Sequence, residues 1–112
     1  MIFYFIMVTN FQKKVYELVS QIPKGKVSTY KIIAQKMNTN AYQAIGQALM
    51  KNPFAPDVPC HRVVSSDGTI GGFKGESEGK AIEEKISMLK KERIKIKNNR
   101  IIDFEKRLFT FL

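Results

Sequence analysis

STYKIIAQKMNTNAYQAIGQALMK, residues 28–51, is the stretch that decides the fold of this chain. In its first half, apolar side chains recur at helical spacing at Ile32, Ile33 and Met37. The second half repeats that spacing with mostly small side chains: Ala41, Ala44, Ile45, Ala48 and Leu49. Ser28 is the predicted N-cap of the first helix, and the polar residues 38–40 separate the two. The pattern predicts a helix-turn-helix over about residues 28–51.

The elements on either side of this helix pair are predicted from the same kind of pattern. Upstream, residues 11–19 have helical spacing. Downstream, Asn52-Pro53 ends the second helix, because the residue before a proline avoids the α conformation. Residues 63–64 and 69–70 flank a Ser-Ser-Asp-Gly turn, which predicts a hairpin between them.

The C-terminal part of the chain alternates helix and turn signals. A helix is predicted over about residues 79–93, with apolar residues on one face. A second hairpin is predicted to turn at Asn98-Asn99, because asparagine tolerates the left-handed backbone that a tight hairpin requires. Asp103 is then expected to cap a last helical turn that ends near Leu112.

Length and composition bound the class of protein. The chain has 112 residues, of which 44% are hydrophobic, which suffices for one modest core. We expect a single domain over residues 1–112, mainly α with small β-hairpins, of the winged-helix-like helix-turn-helix type. The apolar residues 1–8 are too short to cross a bilayer, which takes about 20 residues, and they lack the positive start of a secretory signal. We expect them to form a packing strand or a lead-in to the first helix, with no membrane association.

The charge of the chain is strongly positive and unevenly distributed. The net charge is +9 at pH 7, and no Asp or Glu occurs from Leu18 to Pro56. Five lysines fall in that stretch: Lys24, Lys26, Lys31, Lys36 and Lys51. A basic segment free of acidic residues is typical of a face that binds a polyanion. The alternative is a generally basic protein whose lysines are simply solvated.

Cys60 and His61 are the only cysteine and the only histidine, and they are adjacent. The pair suggests a thiol that can be activated as a nucleophile, although a small buried cysteine beside a surface histidine is the alternative. We do not expect the two side chains to touch, because neighbouring side chains point in different directions. A lone cysteine excludes an internal disulfide, offers no metal site and fits a reducing intracellular compartment.

Four segments carry a family resemblance: Ile22-Pro23-Lys24-Gly25-Lys26-Val27-Ser28-Thr29-Tyr30, Asn52-Pro53, Pro59-Cys60-His61-Arg62-Val63 and Ile70-Gly71-Gly72-Phe73. Over about residues 11–95 the chain resembles the active-site domain of the O6-alkylguanine-DNA alkyltransferases, which are DNA repair proteins. The resemblance implies that the O6-alkyl group of alkylated guanine is transferred to the protein's own cysteine in one irreversible turnover, without a cofactor. It also implies a monomer that binds double-stranded DNA through the minor groove. The implied location is the cytoplasm, at the nucleoid, or the nucleus in a eukaryote.

The resemblance also assigns chemical roles, within an active-site loop over residues 52–75. Cys60 is the nucleophile, and His61 is the base that acts on it through a bridging water. In the family, two apolar residues and two spacers precede a glutamate that orients the histidine. Residues 88–92 match that pattern and give the role to Glu92. The rival carboxylates are Glu83 and Glu84.

Three further positions correspond to site residues of the family, two as matches and one as a departure. Tyr30 matches the tyrosine that hydrogen-bonds the flipped base and helps to neutralise the leaving guanine. Asn52 matches the asparagine that braces the active-site turn. Gln43 stands where the family has an arginine that fills the gap left by the base, and Tyr42 is a neighbouring candidate for that wedge.

The remaining predicted site residues fall into two groups. The predicted DNA contacts are Gln43, Tyr42, Ala41, Ala44, Thr29, Lys31, Lys51 and Arg62, of which Arg62 is expected to contact phosphate or to support the structure. The predicted walls of the base pocket are Leu49, Val63, Gly72, Phe73 and Lys74. The pocket loop departs from the family, because Lys74 replaces a frequent serine and Glu76 interrupts the usual Gly-Gly.

Two other functions are compatible with parts of the sequence. A sensor like the alkyltransferase-like proteins would bind alkylated guanine without transferring the group, but those proteins have tryptophan or alanine in place of the cysteine, whereas this chain has Cys60. A cysteine hydrolase would also use a Cys and a His. Hydrolases place the two apart in sequence so that they can face each other, and a hydrolase would leave the helix-turn-helix unexplained.

Overall fold

The structure, a computed structural model, describes residues 8–111. Its helices are α1 (Asn10–Val19), α2 (Tyr30–Lys36), α3 (Tyr42–Met50), α4 (Lys80–Lys91) and α5 (Phe104–Arg107), with a 3-10 helix at Cys60–Arg62. Its strands are β1 (Ser28–Thr29), β2 (Val63–Val64), β3 (Ile96–Lys97) and β4 (Arg100–Ile101). The predicted fold class, mainly helical with small sheets, is confirmed. The expectation for the apolar start of the chain lies outside the described residues, except at Val8, which packs against the core.

Helix α1 begins with a capping box and ends against the helix-turn-helix. The Thr9 hydroxyl accepts a hydrogen bond from the Gln12 amide, and the Gln12 side chain accepts one from the Thr9 amide. Further along, the Tyr16 hydroxyl donates to the Ala48 carbonyl at 2.7 Å. This buried bond fixes α1 to α3.

The predicted helix-turn-helix is formed by α2 and α3. The N-cap of α2 is Thr29 and not Ser28, because the Thr29 hydroxyl accepts a hydrogen bond from the Ile32 amide at 3.0 Å. Ser28 lies in β1 and is fully buried, and its hydroxyl has no hydrogen-bond partner among the described residues. The helix therefore starts one residue later than we predicted.

The first predicted hairpin is wrong in its pairing. Val63 and Val64 form β2, which pairs in parallel with Ser28 and Thr29 of β1. The expected turn does form, since the Ser65 amide donates to the Thr69 carbonyl, but Thr69 then bridges to Arg100. Both valines of β2 are fully buried, so their backbone groups need a partner inside the molecule, and the segment that leads into α2 supplies it.

The second predicted hairpin is confirmed. Strand β3 pairs antiparallel with β4, and the two turn residues Asn98 and Asn99 have φ of 52° and 61°. Asp103 precedes α5, but its side chain makes no capping bond and its own backbone is left-handed. Helix α5 ends at Arg107, short of the predicted end, because Leu108 turns away to pair with Val27.

The core is built from the inner faces of these elements around β1 and β2. Its fully buried apolar residues are Val15, Val19, Ile22, Val27, Ile33, Ala34, Ile45, Val63, Val64, Ile70 and Leu89. Burying a valine, leucine or isoleucine side chain contributes about 1.5–3 kcal/mol. Within residues 8–111, none of the helices has the length and the apolar character that a bilayer crossing requires.

Candidate active site and nucleic-acid interface

Cys60 lies at the start of the 3-10 helix, where the chain leaves a proline-rich segment. Its side chain is buried, with 9% of its surface exposed. Asn52 spans the preceding turn, because its Nδ2 donates to the Val58 carbonyl at 2.8 Å and its Oδ1 accepts from the Phe54 amide at 2.9 Å. The Cys60 amide donates to the same Val58 carbonyl at 2.8 Å. One amide side chain thus holds the turn that presents the thiol.

His61 is bound to a carboxylate from the end of α4. Its Nε2 lies 2.9 Å from Glu92 Oε2, and both side chains are almost fully buried. Arg62 binds the same carboxylate, with Nε 2.9 Å from Oε1 and Nη2 2.8 Å from Oε2. The rival carboxylate Glu84 instead forms an exposed ion pair with Lys74. The structure therefore brings Glu92, and neither of its rivals, to the histidine.

The protonation of this network follows from its burial. Burial lowers the pKa of His61 below its ordinary value, although the contact with Glu92 opposes the shift. For Glu92, burial raises the pKa, but the hydrogen bonds from Arg62 and His61 outweigh it and leave the pKa lowered. A carboxylate only accepts hydrogen bonds, so in neutral His61 it is Nε2 that carries the hydrogen and donates a hydrogen bond to Glu92. The free Nδ1 is then the nitrogen that can take up a proton.

A cavity of about 740 Å³ opens over Cys60. The residues that line it come from α2, α3, the thiol turn and the loop after β2: Tyr30, Tyr42, Gln43, Gly46, Gln47, Leu49, Met50, Cys60, Gly72, Phe73, Lys74, Gly75, Glu76 and Ser77. Four predicted wall residues are among them. The prediction for Val63 is wrong, because Val63 is fully buried in β2 and faces the core.

Tyr30, the first residue of α2, is half-buried in the wall of this cavity. Burial raises the pKa of its hydroxyl above the ordinary value of 10. The phenol therefore stays protonated at neutral pH and can donate a hydrogen bond into the cavity.

The outer face of α3, with the residue that precedes it, is exposed. Ala41, Tyr42, Gln43 and Ala44 all lie on the surface at the start of this helix. The side chains of Lys31 and Lys51 are exposed as well. The small residues leave the helix backbone accessible, so this face can approach another molecule closely.

Two residues predicted to contact DNA lie elsewhere. Thr29 is 2% exposed, and its hydroxyl caps α2. The guanidinium of Arg62 is occupied by Glu92 and by the Ile22 carbonyl, which accepts from Nη1 at 2.8 Å. The structural role considered for Arg62 fits this position, and the phosphate contact does not.

One buried charged residue was missed by sequence reasoning. Lys85 lies in α4 between Ile82 and Leu89, on the face that packs against the core, and is fully buried. A lysine within an apolar helical stripe is the signal that points to it. Among residues 8–111, no group of three or more His, Cys, Asp or Glu side chains is arranged to hold a metal ion.

The structure thus places a buried thiol beside a helix-turn-helix, and comparison with known families shows the class of protein to which this arrangement belongs. The family model of the 6-O-methylguanine DNA methyltransferase DNA-binding domain matches residues 10–94. The chain belongs to this family, which confirms the resemblance seen in the sequence.

Several relatives are similar over most of the chain. The methylated-DNA–protein-cysteine methyltransferase of Sulfolobus acidocaldarius is 40% identical over 91 residues, covering 81% of this chain and 54% of that protein. The protein of the same name from Thermococcus kodakarensis is 44% identical over 89 residues, covering 79% and 47%. The chain spans about half the length of these curated relatives.

Two solved structures show the same fold. The O6-methylguanine-DNA methyltransferase of Pyrococcus kodakaraensis KOD1 has a TM-score of 0.65 at 43% identity, with 76% of this chain and 47% of that chain covered. Atl1 of S. pombe, in complex with DNA containing O6-carboxymethylguanine, has a TM-score of 0.75 at 30% identity. That match covers 89% of this chain and 94% of Atl1.

Proposed function

We propose that this protein repairs DNA by accepting the O6-alkyl group of alkylated guanine on the Cys60 sulfur, in one irreversible turnover. The observation that carries the proposal is that one cavity is lined by both Cys60 and α3. Cys60 lies in its wall, and so do Gln43 and Gly46 of α3, the helix that would lie on DNA. A base that leaves the duplex beside α3 therefore enters the space in front of the thiol.

The chemistry is a displacement at a saturated carbon. His61 Nδ1 takes the thiol proton through a water molecule, and the Cys60 sulfur then attacks the alkyl carbon. The bond between that carbon and guanine O6 breaks, its electron pair stays with the base, and the Tyr30 hydroxyl stabilises the negative charge on the base by donating a hydrogen bond. The proton that His61 took up passes to the base through water, so the products are guanine and a thioether on Cys60.

The remaining residues of the site hold this arrangement together. Glu92 orients His61, and Asn52 keeps the thiol turn in place by its two hydrogen bonds. A thioether is stable, and the sequence has no second cysteine that could remove the alkyl group. We therefore expect each molecule to react once, as a monomer, without metal or organic cofactor.

Binding to duplex DNA supplies the base. A guanine inside the duplex is out of reach of the thiol, so it must rotate out of the stack. The exposed face of α3 enters the minor groove, where Ala41 and Ala44 permit close approach and Tyr42 or Gln43 fills the gap left by the base. Lys31 and Lys51 contact phosphates on either side.

Intact mass spectrometry tests the proposal. After mixing with a duplex that contains one O6-methylguanine, the protein should gain the mass of one methylene, and peptide mapping should place the new methyl group on Cys60. The Cys60→Ser protein should show no gain while it still binds the duplex. A gain on another residue, or repair of several equivalents of DNA per protein molecule, would contradict single-turnover transfer to Cys60.

The alternative function is that of a sensor of alkylated guanine. Atl1, which was solved in complex with DNA containing O6-carboxymethylguanine, has the same fold as this chain. A sensor of alkylated guanine would bind the modified duplex more tightly than the unmodified one and leave the protein mass unchanged. The same experiment therefore separates the two functions.

A further inference from the structure

Lys85 has the most unusual environment of any charged residue among those described. Its side chain is fully buried, yet it ends in an ammonium group. Nζ donates to the carbonyls of Val63 at 2.8 Å, Ile70 at 2.6 Å and Gly72 at 2.9 Å. An ammonium has three N–H donors, so the group is fully satisfied by backbone oxygens.

Burying this charge is costly. Burial lowers the pKa of Lys85 to about 7, while negative charge on Cys60 favours the protonated form. The three carbonyls also favour it, because a neutral amine has only two N–H donors for three acceptors. A methionine would fill similar space without the desolvation cost. The three hydrogen bonds to backbone carbonyls are the contacts that Lys85 makes and a methionine could not make.

The three carbonyls belong to segments that build the cavity. Val63 directly follows the 3-10 helix, and its own amide donates to the Cys60 carbonyl. Ile70 leads into the cavity loop, and Gly72 lines the cavity itself. The ring of Phe73, the next wall residue, has its centroid 6.0 Å from Nζ. One ammonium thus connects the backbone beside the nucleophile with the wall that faces it.

We propose that Lys85 is a positioning residue for the alkyl transfer, which holds the Gly72-Phe73 wall in register with Cys60. The proposal rests on the transfer function proposed above. Without the ammonium, the carbonyls of Ile70 and Gly72 lose the donor that ties them to Val63 of β2, so the base and the sulfur lose their alignment. A displacement of about 1 Å in a reacting pair can cost about 10²-fold in rate.

Three variants separate positioning from packing. Lys85→Met keeps the apolar stem and removes every donor, Lys85→Gln keeps two N–H donors without charge, and Lys90→Met changes an exposed lysine of the same helix. The substrate is free O6-methylguanine base, which needs no flipping, and the methylated protein is counted by mass. We expect Lys85→Met to lower the rate at saturating base by about 10²-fold, Lys85→Gln to restore part of it, and Lys90→Met to match the wild type.

Hydrogen exchange supplies a readout that does not depend on transfer. In Lys85→Met, the backbone amides of residues 70–73 should exchange faster than in the wild type, while those of α3 and the affinity for duplex DNA stay unchanged. Absence of transfer in the wild type would refute the proposed function. The exchange result would then still show whether Lys85 holds the Gly72-Phe73 wall in place. Unchanged exchange in that loop, or equal rates in all variants, would overturn the role of Lys85. Loss of folding in both Lys85 variants would overturn it too, since the ammonium would then support the whole fold.

Discussion

Arg62 and Glu92 are joined by two parallel hydrogen bonds, from Nε to Oε1 and from Nη2 to Oε2. The fork of a guanidinium matches a carboxylate in this geometry, which fixes the plane of the carboxylate as well as its position. Glu92 Oε2 is also the atom that binds His61. Arg62 therefore determines how the carboxylate faces the imidazole, although it does not line the cavity over Cys60.

The first prediction concerns the stability that this pair provides. Arg62→Met should lower the free energy of unfolding by about 3 kcal/mol, because it removes two hydrogen bonds from the almost fully buried Glu92 carboxylate and puts an apolar side chain beside it. The matched control is Lys74→Met, which breaks the exposed pair with Glu84 and should cost no more than about 1 kcal/mol. Urea unfolding of the three proteins measures both values. Equal losses would show that burial of the Arg62 pair has no energetic consequence.

The second prediction concerns acid. The pKa of His61 is lowered below 6.5, so between that value and the folded pKa the unfolded chain binds a proton that the folded protein does not. In such a window the folded protein loses stability as the pH is lowered. The free energy of unfolding should therefore begin to drop below pH 6.5. Glu92 should add a second loss of stability at lower pH, because its pKa in the folded protein lies below 4.5. As the pH falls, its carboxylate is protonated in the unfolded chain before it is protonated in the folded protein.

Urea titrations between pH 8 and pH 4 at constant ionic strength measure this effect. His61→Asn should remove the first part of the fall and keep the part below pH 4.5. A wild-type curve that is flat between pH 6.5 and 4.5 would contradict a neutral buried His61.

The third prediction concerns salt. Lys31 and Lys51 are exposed beside the helix-turn-helix, and each phosphate contact should contribute about 0.9 to the slope of log affinity against log salt. Replacing either lysine with Gln should reduce that slope by about 0.9. Arg62→Met should leave the slope unchanged, because its guanidinium is bound inside the protein. Fluorescence anisotropy with unmodified duplex DNA across a salt series measures all three, and an unchanged slope in both lysine variants would place the phosphates elsewhere.

The fourth prediction concerns the wedge at the start of α3. Gln43 is exposed, lines the cavity and has no charge. Gln43→Arg adds a planar stacking group and a positive charge, which by analogy with base stacking is worth about 1–3 kcal/mol. It should tighten duplex binding or speed transfer from duplex DNA, and change transfer from the free base much less. If Tyr42→Ala is instead the change that abolishes duplex transfer, Tyr42 is the wedge.

The helical part of the fold follows from local patterns. The spacing of Ile32, Ile33 and Met37, and the repeat in the next helix, are enough to predict the helix-turn-helix, because an amphipathic helix records its buried face in the sequence. The Asn98-Asn99 turn is predicted for a similar reason, since few residues accept its backbone conformation. Elements that depend on a few neighbouring residues could therefore be predicted from the sequence.

Pairing between strands that are distant in the chain could not be predicted in this way. Nothing near Val63 indicates that its strand pairs with Ser28, so the sequence favoured the adjacent segment and the wrong partner. The apolar stripe around Lys85 indicates that this lysine is buried, but its three acceptors are backbone carbonyls, which leave no residue-type signal. The family pattern was enough to predict that Glu92 lies beside His61. The hydrogen bonds from Arg62 to Glu92 could not be predicted, because they depend on the folded geometry.

The cavity over Cys60 uses part of α3 as its own wall. Gly46, Gln47 and Met50 line it from the same helix that presents Tyr42 and Gln43 to the surface. A small molecule bound against the thiol would therefore occupy volume that the incoming nucleotide needs. Under the proposed alkyl transfer, such a compound would compete with damaged DNA by exclusion even if it never reacted with the sulfur, and ligands selected for this helix face would be inhibitors of that transfer.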